Sequence, residues 1–330
     1  FFEDDIIQVQ YQEKFGVIRR DGTYLIEPIF DEISFFQDSL AQVSYQEKYG
    51  VIRLDGTYLV EPIFDHISSF QDGIAQVEKD QKIGYIKKDG SYLVEPIFDF
   101  SEDFSEGLSA SRDKSGFGYI NQKGEIQIPF KYEFAKPFSE GLAAVEPETT
   151  YVPDSDSPEG YRTIFGYGFI DQLDNIVIAP QFSEPKPFSE GFAVVAPFLK
   201  SKYGYIDRKG NYLIEPQFEG AESFHNGLAK VMLDGKWGLL KKDGTYLAEP
   251  QYEEIGQIVK GRPGCFVLKD GKWGLLNKET GEYLVEPRFE SVRSGTHNWD
   301  DKRDDYDEYV GVQENGRWRF IKMDGKDMSW

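Results

Sequence analysis

Apolar side chains in this chain come in short runs, each closed by a Gly, Pro or Asp, and the runs recur in a fixed order. The anchor of the pattern is an aromatic residue followed by Gly and a short β-forming run: Phe15-Gly16-Val17-Ile18, Tyr49-Gly50-Val51-Ile52, Phe117-Gly118-Tyr119-Ile120. It continues at Tyr167-Gly168, Tyr203-Gly204, Trp237-Gly238 and Trp273-Gly274, with Ile83 before Gly84 in one copy and Trp318-Arg319 in the last. The anchor glycines at 16, 50, 84 and 118 lie 34 residues apart, and later spacings stretch to 50, 36, 34 and 36. Recurrence at such a period is the signature of a repeat architecture, here eight complete copies and a truncated ninth.

Three strands are predicted in each copy. Strand A is the end of a Phe-x-x-Gly-Leu-Ala-x-Val segment, as at Phe138–Val145 and Phe224–Val231, with variants at Phe36–Val43 and Phe188–Val195. Strand B is the aromatic-Gly run. Strand C is Tyr24-Leu25-Ile26-Glu27-Pro28 and its echoes at Tyr58–Pro62, Tyr92–Pro96, Tyr212–Pro216, Tyr246–Pro250 and Tyr283–Pro287. A Pro removes a ladder donor, so strand C is expected to stop there. Between B and C a second Gly, usually after Asp (Asp21-Gly22, Asp89-Gly90, Asp243-Gly244), marks a hairpin turn. Gly281 falls one place late, and Asn175 is expected to take the left-handed position in the fifth copy.

A single repeat array over residues 1–330 follows, about 8.5 units of a three-stranded antiparallel β-meander, an all-β fold. A lone meander cannot bury its faces, so copies must stack. The three-stranded unit and the leftover ninth copy favour an open β superhelix or solenoid over a closed β-propeller, whose blades are four-stranded. Two segments break the period, Pro147–Arg162 at the A–B hairpin of the fifth copy and Ser291–Glu308 before the last strand A. Both are polar, as surface loops are. Tyr151 and Tyr161 in the first, and Trp299, Tyr306 and Tyr309 in or beside the second, are the candidate partner-binding residues, because aromatics among charges resemble interface anchors.

Together these motifs resemble the bacterial WG repeat, also called the KWG repeat. Lys236-Trp237-Gly238 and Lys272-Trp273-Gly274 match its name outright, and the resemblance covers nearly the whole chain. It implies a β-rich repeat architecture and no reaction, cofactor or catalytic residue. Most copies here carry Phe or Tyr in place of Trp.

Charge narrows the partners. With 58 Asp and Glu against 37 Lys and Arg, the net charge is −21. Nucleic acid and anionic membrane surfaces both need a basic footprint and are disfavoured. The longest mostly apolar run, Gly191–Leu199, is too short to span a bilayer, so no direct membrane insertion is expected. Phe1 rather than Met opens the chain, and a cleaved signal or an artificial boundary accounts for it equally well. A bacterial cell envelope or surface is accordingly favoured over the cytoplasm.

Chemistry-bearing residues read first as structure. The anchor aromatic is expected to pack on the Glu-Pro segment of its own copy, with a glycan-stacking platform as the alternative. Glu27, Glu61, Glu95, Glu215, Glu249 and Glu286 recur before the Pro. Catalytic groups are not duplicated in every repeat, so pairing with Arg53, Lys87 and Lys241 is preferred to a cation ridge. Cys265 falls at the phase of Ala41, Ala75 and Ala143 and reads as a small buried hydrophobe. His66, His225 and His297 sit at unrelated phases, so no zinc set assembles. Asp154, Asp156 and Glu159, and the run 300–308, lack the EF-hand pattern. No catalytic, cofactor or metal residue is assigned. The expected function is a non-catalytic scaffold that binds a protein or glycan, with a place in a larger assembly as an extension of that role. A propeller-like glycoside hydrolase or lectin using loop carboxylates and aromatics is the alternative.

Overall fold

The structure, a computed structural model, describes residues 6–147, 150–153, 161–164, 166–183, 185–197, 200–293 and 309–326. All regular elements among them are strands, so none is a helix able to cross a membrane. The chain divides into two compact units, Phe1–Pro137 and Phe138–Trp330.

The second copy illustrates the repeat. Strand A (Leu40–Tyr45) pairs antiparallel with strand B (Lys48–Arg53), and B with strand C (Tyr58–Phe64). Gln46 and Glu47, at φ of 52° and 63°, form the two-residue A–B turn whose twist suits a hairpin. The B–C turn closes when Arg53 N–H donates to Thr57 O and Gly56 N–H to Arg53 O, with Gly56 at φ 86°. The Phe-x-x-Gly-Leu segment is a third tight turn. In copy three, Gln71 and Ile74 exchange two backbone hydrogen bonds around Asp72 and Gly73.

Strand C does not stop at its proline. Tyr49 lies opposite Phe64 and Val51 opposite Val60, so strand C spends two extra residues across Glu61-Pro62-Ile63. Proline is tolerated in this bulge because no ladder bond is asked of it there. The same bulge explains the anchor glycine. A Cβ on Gly50 would lie 2.6 Å from Val60 O and 2.8 Å from Pro62 N, leaving no room for a side chain. In the ninth copy, where Arg319 replaces the glycine, strands A (Tyr309–Glu314) and B (Arg317–Lys322) pair and no strand C follows among the described residues.

Most interior sheets have a fourth strand that the three-strand expectation missed; the sheet of Phe192–Val195, Tyr203–Asp207 and Tyr212–Phe218 keeps three among the described residues. After Phe64 the chain turns at Asp65, and His66–Ile67 (strand D) pairs with strand A of the next copy, Ile67 opposite Val77. Equivalent D strands are Glu32–Ile33, Phe100–Ser101, Gly220–Ala221, Glu254–Ile255 and Ser291–Arg293. The sheet order is therefore D of the preceding copy, then A, B and C. The core lies between copies. Val17, Ile26, Phe30 and Ile33 of the first pack on Ala41, Val43 and Ile52 of the second, and Val51, Val60, Phe64 and Ile67 repeat the arrangement on Ala75, Val77 and Ile86. Adjacent strand B residues thus point opposite ways, Val51 toward the next copy and Ile52 toward the preceding one.

One correction concerns the fifth copy. Its left-handed residue is Asp174, at φ 68°, and not Asn175. Asn175 instead donates its side-chain amide to Asp171 (2.9 Å), taking the place that Thr57 holds beside Asp55.

Candidate functional site

The repeated polar residues are engaged with neighbouring copies. The acid at the C–D corner uses both oxygens. Asp65 accepts from the Lys48 ammonium of its own copy and from the Asp80 N–H of the next (2.8 Å). Asp31 does the same with Lys14 and Gln46 N–H (2.8 Å), and Glu219 with Lys202 (3.2 Å) and Gly235 N–H (2.9 Å). These bonds hold the Asp31 and Asp65 carboxyls below their usual range, the lysine being the larger cause. For Glu219 the Gly235 N–H is the larger cause. A second stitch runs from the middle of strand A. The Gln8, Gln42 and Gln76 amides donate to Ile33 O, Ser68 O and Ser101 O at 2.9, 2.8 and 2.7 Å.

The glutamates before the prolines behave otherwise. All six are exposed, and among the described residues none forms an ion pair. Arg53 instead donates to Thr57 Oγ1 and Tyr58 O. The expected pairing fails because these glutamates stand exposed at the bulge while Arg53 binds the turn. The anchor ring also differs from expectation. Tyr49, Trp237 and Trp273 face Phe64, Tyr252 and Phe289, two residues beyond the proline, while the glycine faces Glu-Pro.

One interface between copies is polar. Ser101, Ser109 and Ser111 replace the usual Ile, Ala and Val, and all three are buried with Tyr85. The Tyr85 and Ser109 hydroxyls both reach Glu102 O at 2.7 Å, and Ser101 and Ser111 share a 2.6 Å bond. Every hydroxyl is satisfied, so this network adds specificity to one neighbour contact without an unpaired group.

The sequence candidates are scattered. Residues Thr150–Pro153 and Tyr161–Ile164 form a two-stranded ribbon, with Tyr151 opposite Thr163 and Tyr161 opposite Pro153. Ser291–Arg293 proves to be a D strand, while Trp299 and Tyr306 lie outside the described residues. Tyr309 is half-buried as the first residue of strand A, opposite Lys322, whose ammonium lies 5.4 Å from its ring centroid. Asp154, Asp156, Glu159, His297 and residues 300–308 also lie outside the described residues.

Cys265 is buried opposite Leu276, and burial pushes its thiol up to about 11. His66 pairs with Glu78 in a D strand, its ring 6.4 Å from Tyr49, and His225 opens a turn far along the chain. Among the described residues no three His, Cys, Asp or Glu gather as a metal site. A cleft of about 250 Å³ lies between the first two copies, walled by Phe15 and Tyr49 with Gln8, Gln42, Ser44 and a single carboxylate, Glu32.

The family model described as WG containing repeat matches residues 15–49, 49–82, 83–110, 117–146, 167–196, 203–237 and 237–273. No curated protein matches the chain. Among solved structures, a eukaryotic initiation factor shares 8% identity at a TM-score of 0.48, over 99% of this chain and 96% of that one. Apo AztD from Citrobacter koseri shares 14% at 0.33, over 98% and 93%. Kluyveromyces lactis Hsv2 shares 9% at 0.28, over 84% and 92%. At these scores the likenesses bear on neither closure of the array nor activity.

Proposed function

From the premise that this chain belongs to the WG-repeat family, we propose that it is a non-catalytic scaffold, an open array that binds a protein partner through its outer β surface and the segments that break its period. The observation that carries this reading is the use of the phased polar residues. Corner acids and strand A glutamines are engaged with the adjacent copy, which suits a part whose job is to extend a surface.

The first and last copies are each less covered than the copies between them. Ile18 is half-buried and nothing among the described residues comes within 4 Å of a Cβ on Gly22, whereas Ile52 and Ile86 are fully buried and Gly90 is tightly covered. In the ninth copy Phe320 is 53% exposed at the phase where Val51 and Leu275 are buried. The cleft at Phe15 and Tyr49 favours a glycan as a second class of occupant. Its one carboxylate falls short of the pair that glycoside hydrolysis uses.

Small-angle scattering tests the shape. A compact body of 330 residues has a radius of gyration of about 20 Å, and an open array should exceed it clearly. A value at the compact limit refutes the open array. Turnover of any chromogenic glycoside by the purified chain, abolished by one acid substitution, refutes the scaffold.

A further inference from the structure

The strand D phase carries a residue that changes from copy to copy: Glu32, His66, Phe100, Phe134 (here within one continuous strand, Ile126–Ala135), Gly220, Glu254 and Ser291. Two successive copies place phenylalanine there, and both rings are open to solvent, Phe100 at 40% and Phe134 at 47% exposure. They flank a third ring. Phe100 lies opposite Arg112, and Arg112 opposite Phe117, so these three side chains share one sheet face. The Phe117 ring sits 5.8 Å from Phe100 and is stacked on Phe134 at 6.0 Å. The Arg112 guanidinium lies 5.6 Å from the Phe117 centroid, and the Lys131 ammonium 5.1 Å from the neighbouring Tyr132 ring.

Register shows how singular this row is. At the phase of Arg112 the other copies carry Gln10, Ser44, Glu78, Glu146, Ala196, Met232, Leu268 and Gln313, none of them basic. Arg112 is exposed and makes no ion pair among the described residues. Exposed rings beside an arginine are the composition of interface anchors. In a chain of net charge −21, a free guanidinium on such a row is complementary to negative charge.

We propose that Phe100, Arg112, Phe117 and Phe134 form a docking site for an acidic peptide segment of a partner protein. Its apolar side chains would pack against the exposed rings and a carboxylate would bind Arg112. The inference rests on the scaffold reading and gives it an address.

The test is selection of displayed random short peptides on the full chain, followed by binding of the enriched peptides to two variants. Phe100→Ser with Phe134→Ser is one, and Arg112→Gln is the other. Ser291 and Gln313 occupy these phases elsewhere, so folding is retained, and circular dichroism checks it. Enriched peptides should combine Asp or Glu with aromatic or aliphatic residues, and each variant should weaken them by roughly tenfold or more. Basic peptides, or peptides that bind both variants like the parent, overturn the site while leaving the scaffold standing. No enrichment at all overturns both. Binding of a neutral oligosaccharide, lost in the phenylalanine variant but unchanged in Arg112→Gln, overturns the peptide assignment in favour of a glycan.

Discussion

Gly90→Ala and Gly244→Ala change the same turn in the same Asp-Gly hairpin, yet they should differ in cost. Both glycines are left-handed, at φ of 86° and 84°. An alanine in that conformation costs about 1–2 kcal/mol, partly offset by about 0.4–1 kcal/mol from the stiffer unfolded chain. That conformational part is common to both. The surroundings are not. A Cβ on Gly244 meets nothing closer than Ile214 Cγ1 at 3.8 Å, an ordinary contact. A Cβ on Gly90 would sit 2.7 Å from Leu59 O and 3.3 Å from the Leu59 side chain, so the turn must move off the preceding copy. Overpacking of this kind adds about 1–3 kcal/mol. Asn at Gly90 relieves the conformational part and keeps the clash, so it should be milder than Val but still worse than Asn at Gly244. Stability in a tandem array is local, so hydrogen exchange read on the peptides of the mutated hairpin is the fitting assay. Protection at the Gly90 turn should fall roughly tenfold or more beyond the fall at Gly244. Equal losses at the two sites would refute the close approach of turn to preceding strand as what holds copies together.

Three further outcomes follow from the described contacts. Asp21, Asp55, Asp89 and Asp243 are held below their usual range by the Thr or Ser two residues on, and Asp31 and Asp65 by Lys14 and Lys48. Lowered carboxyl values stabilise above the unfolded value and lose that contribution as pH falls through the folded one, so the urea midpoint should drop progressively below about pH 4, and a flat profile refutes the assignment. Tyr85→Phe removes the hydroxyl that bonds Ser101, Ser109 and Glu102 O, while those groups keep one another and Ser111, and should cost about 0.5–1.5 kcal/mol in thermal or urea unfolding, whereas Tyr24→Phe, at an exposed ring, should cost little. Cys265, its thiol raised to about 11 by burial, should react with a thiol reagent only in denaturant; rapid labelling of the native chain would show that strand A is misplaced.

Strands A, B and C were legible because each recurs with its own punctuation. The anchor glycine announced a close backbone approach, and Gly50 under Val60 O and Pro62 N is that approach. Strand D was not legible, since two residues such as Glu32–Ile33 carry no periodicity and sit inside what reads as a connector. The Glu-Pro bulge misled in another way. Proline marks either a strand end or a bulge, and only the register, Tyr49 with Phe64 but Val51 with Val60, tells them apart. The fifth turn shows the same limit. Asp and Asn both adopt left-handed backbone, and the hydrogen bond of Asp174 N–H to Asp171 O decides between neighbours.

The site was legible only where the period breaks in length. The insertion that becomes the 150–153 and 161–164 ribbon could be seen by counting residues. Substitution at constant length could not, because Phe100 and Phe134 are conspicuous only once Glu32, His66 and Glu254 are known to share their strand and phase. Yet constant-length changes are where a rigid address is easiest to build. A side chain in a paired strand is fixed by its neighbours across the sheet, as Arg112 is between Phe100 and Phe117. A repeat array that must be recognised at one place can therefore keep its backbone periodic and vary the outward residues of a single sheet. The exposed glutamates show the converse. Glu61 and its five counterparts recur at most of these bulges, though Pro129 and Ala179 take their phase in the fourth and fifth copies, and among the described residues none has an ion partner, so a feature repeated this often cannot by itself locate a partner.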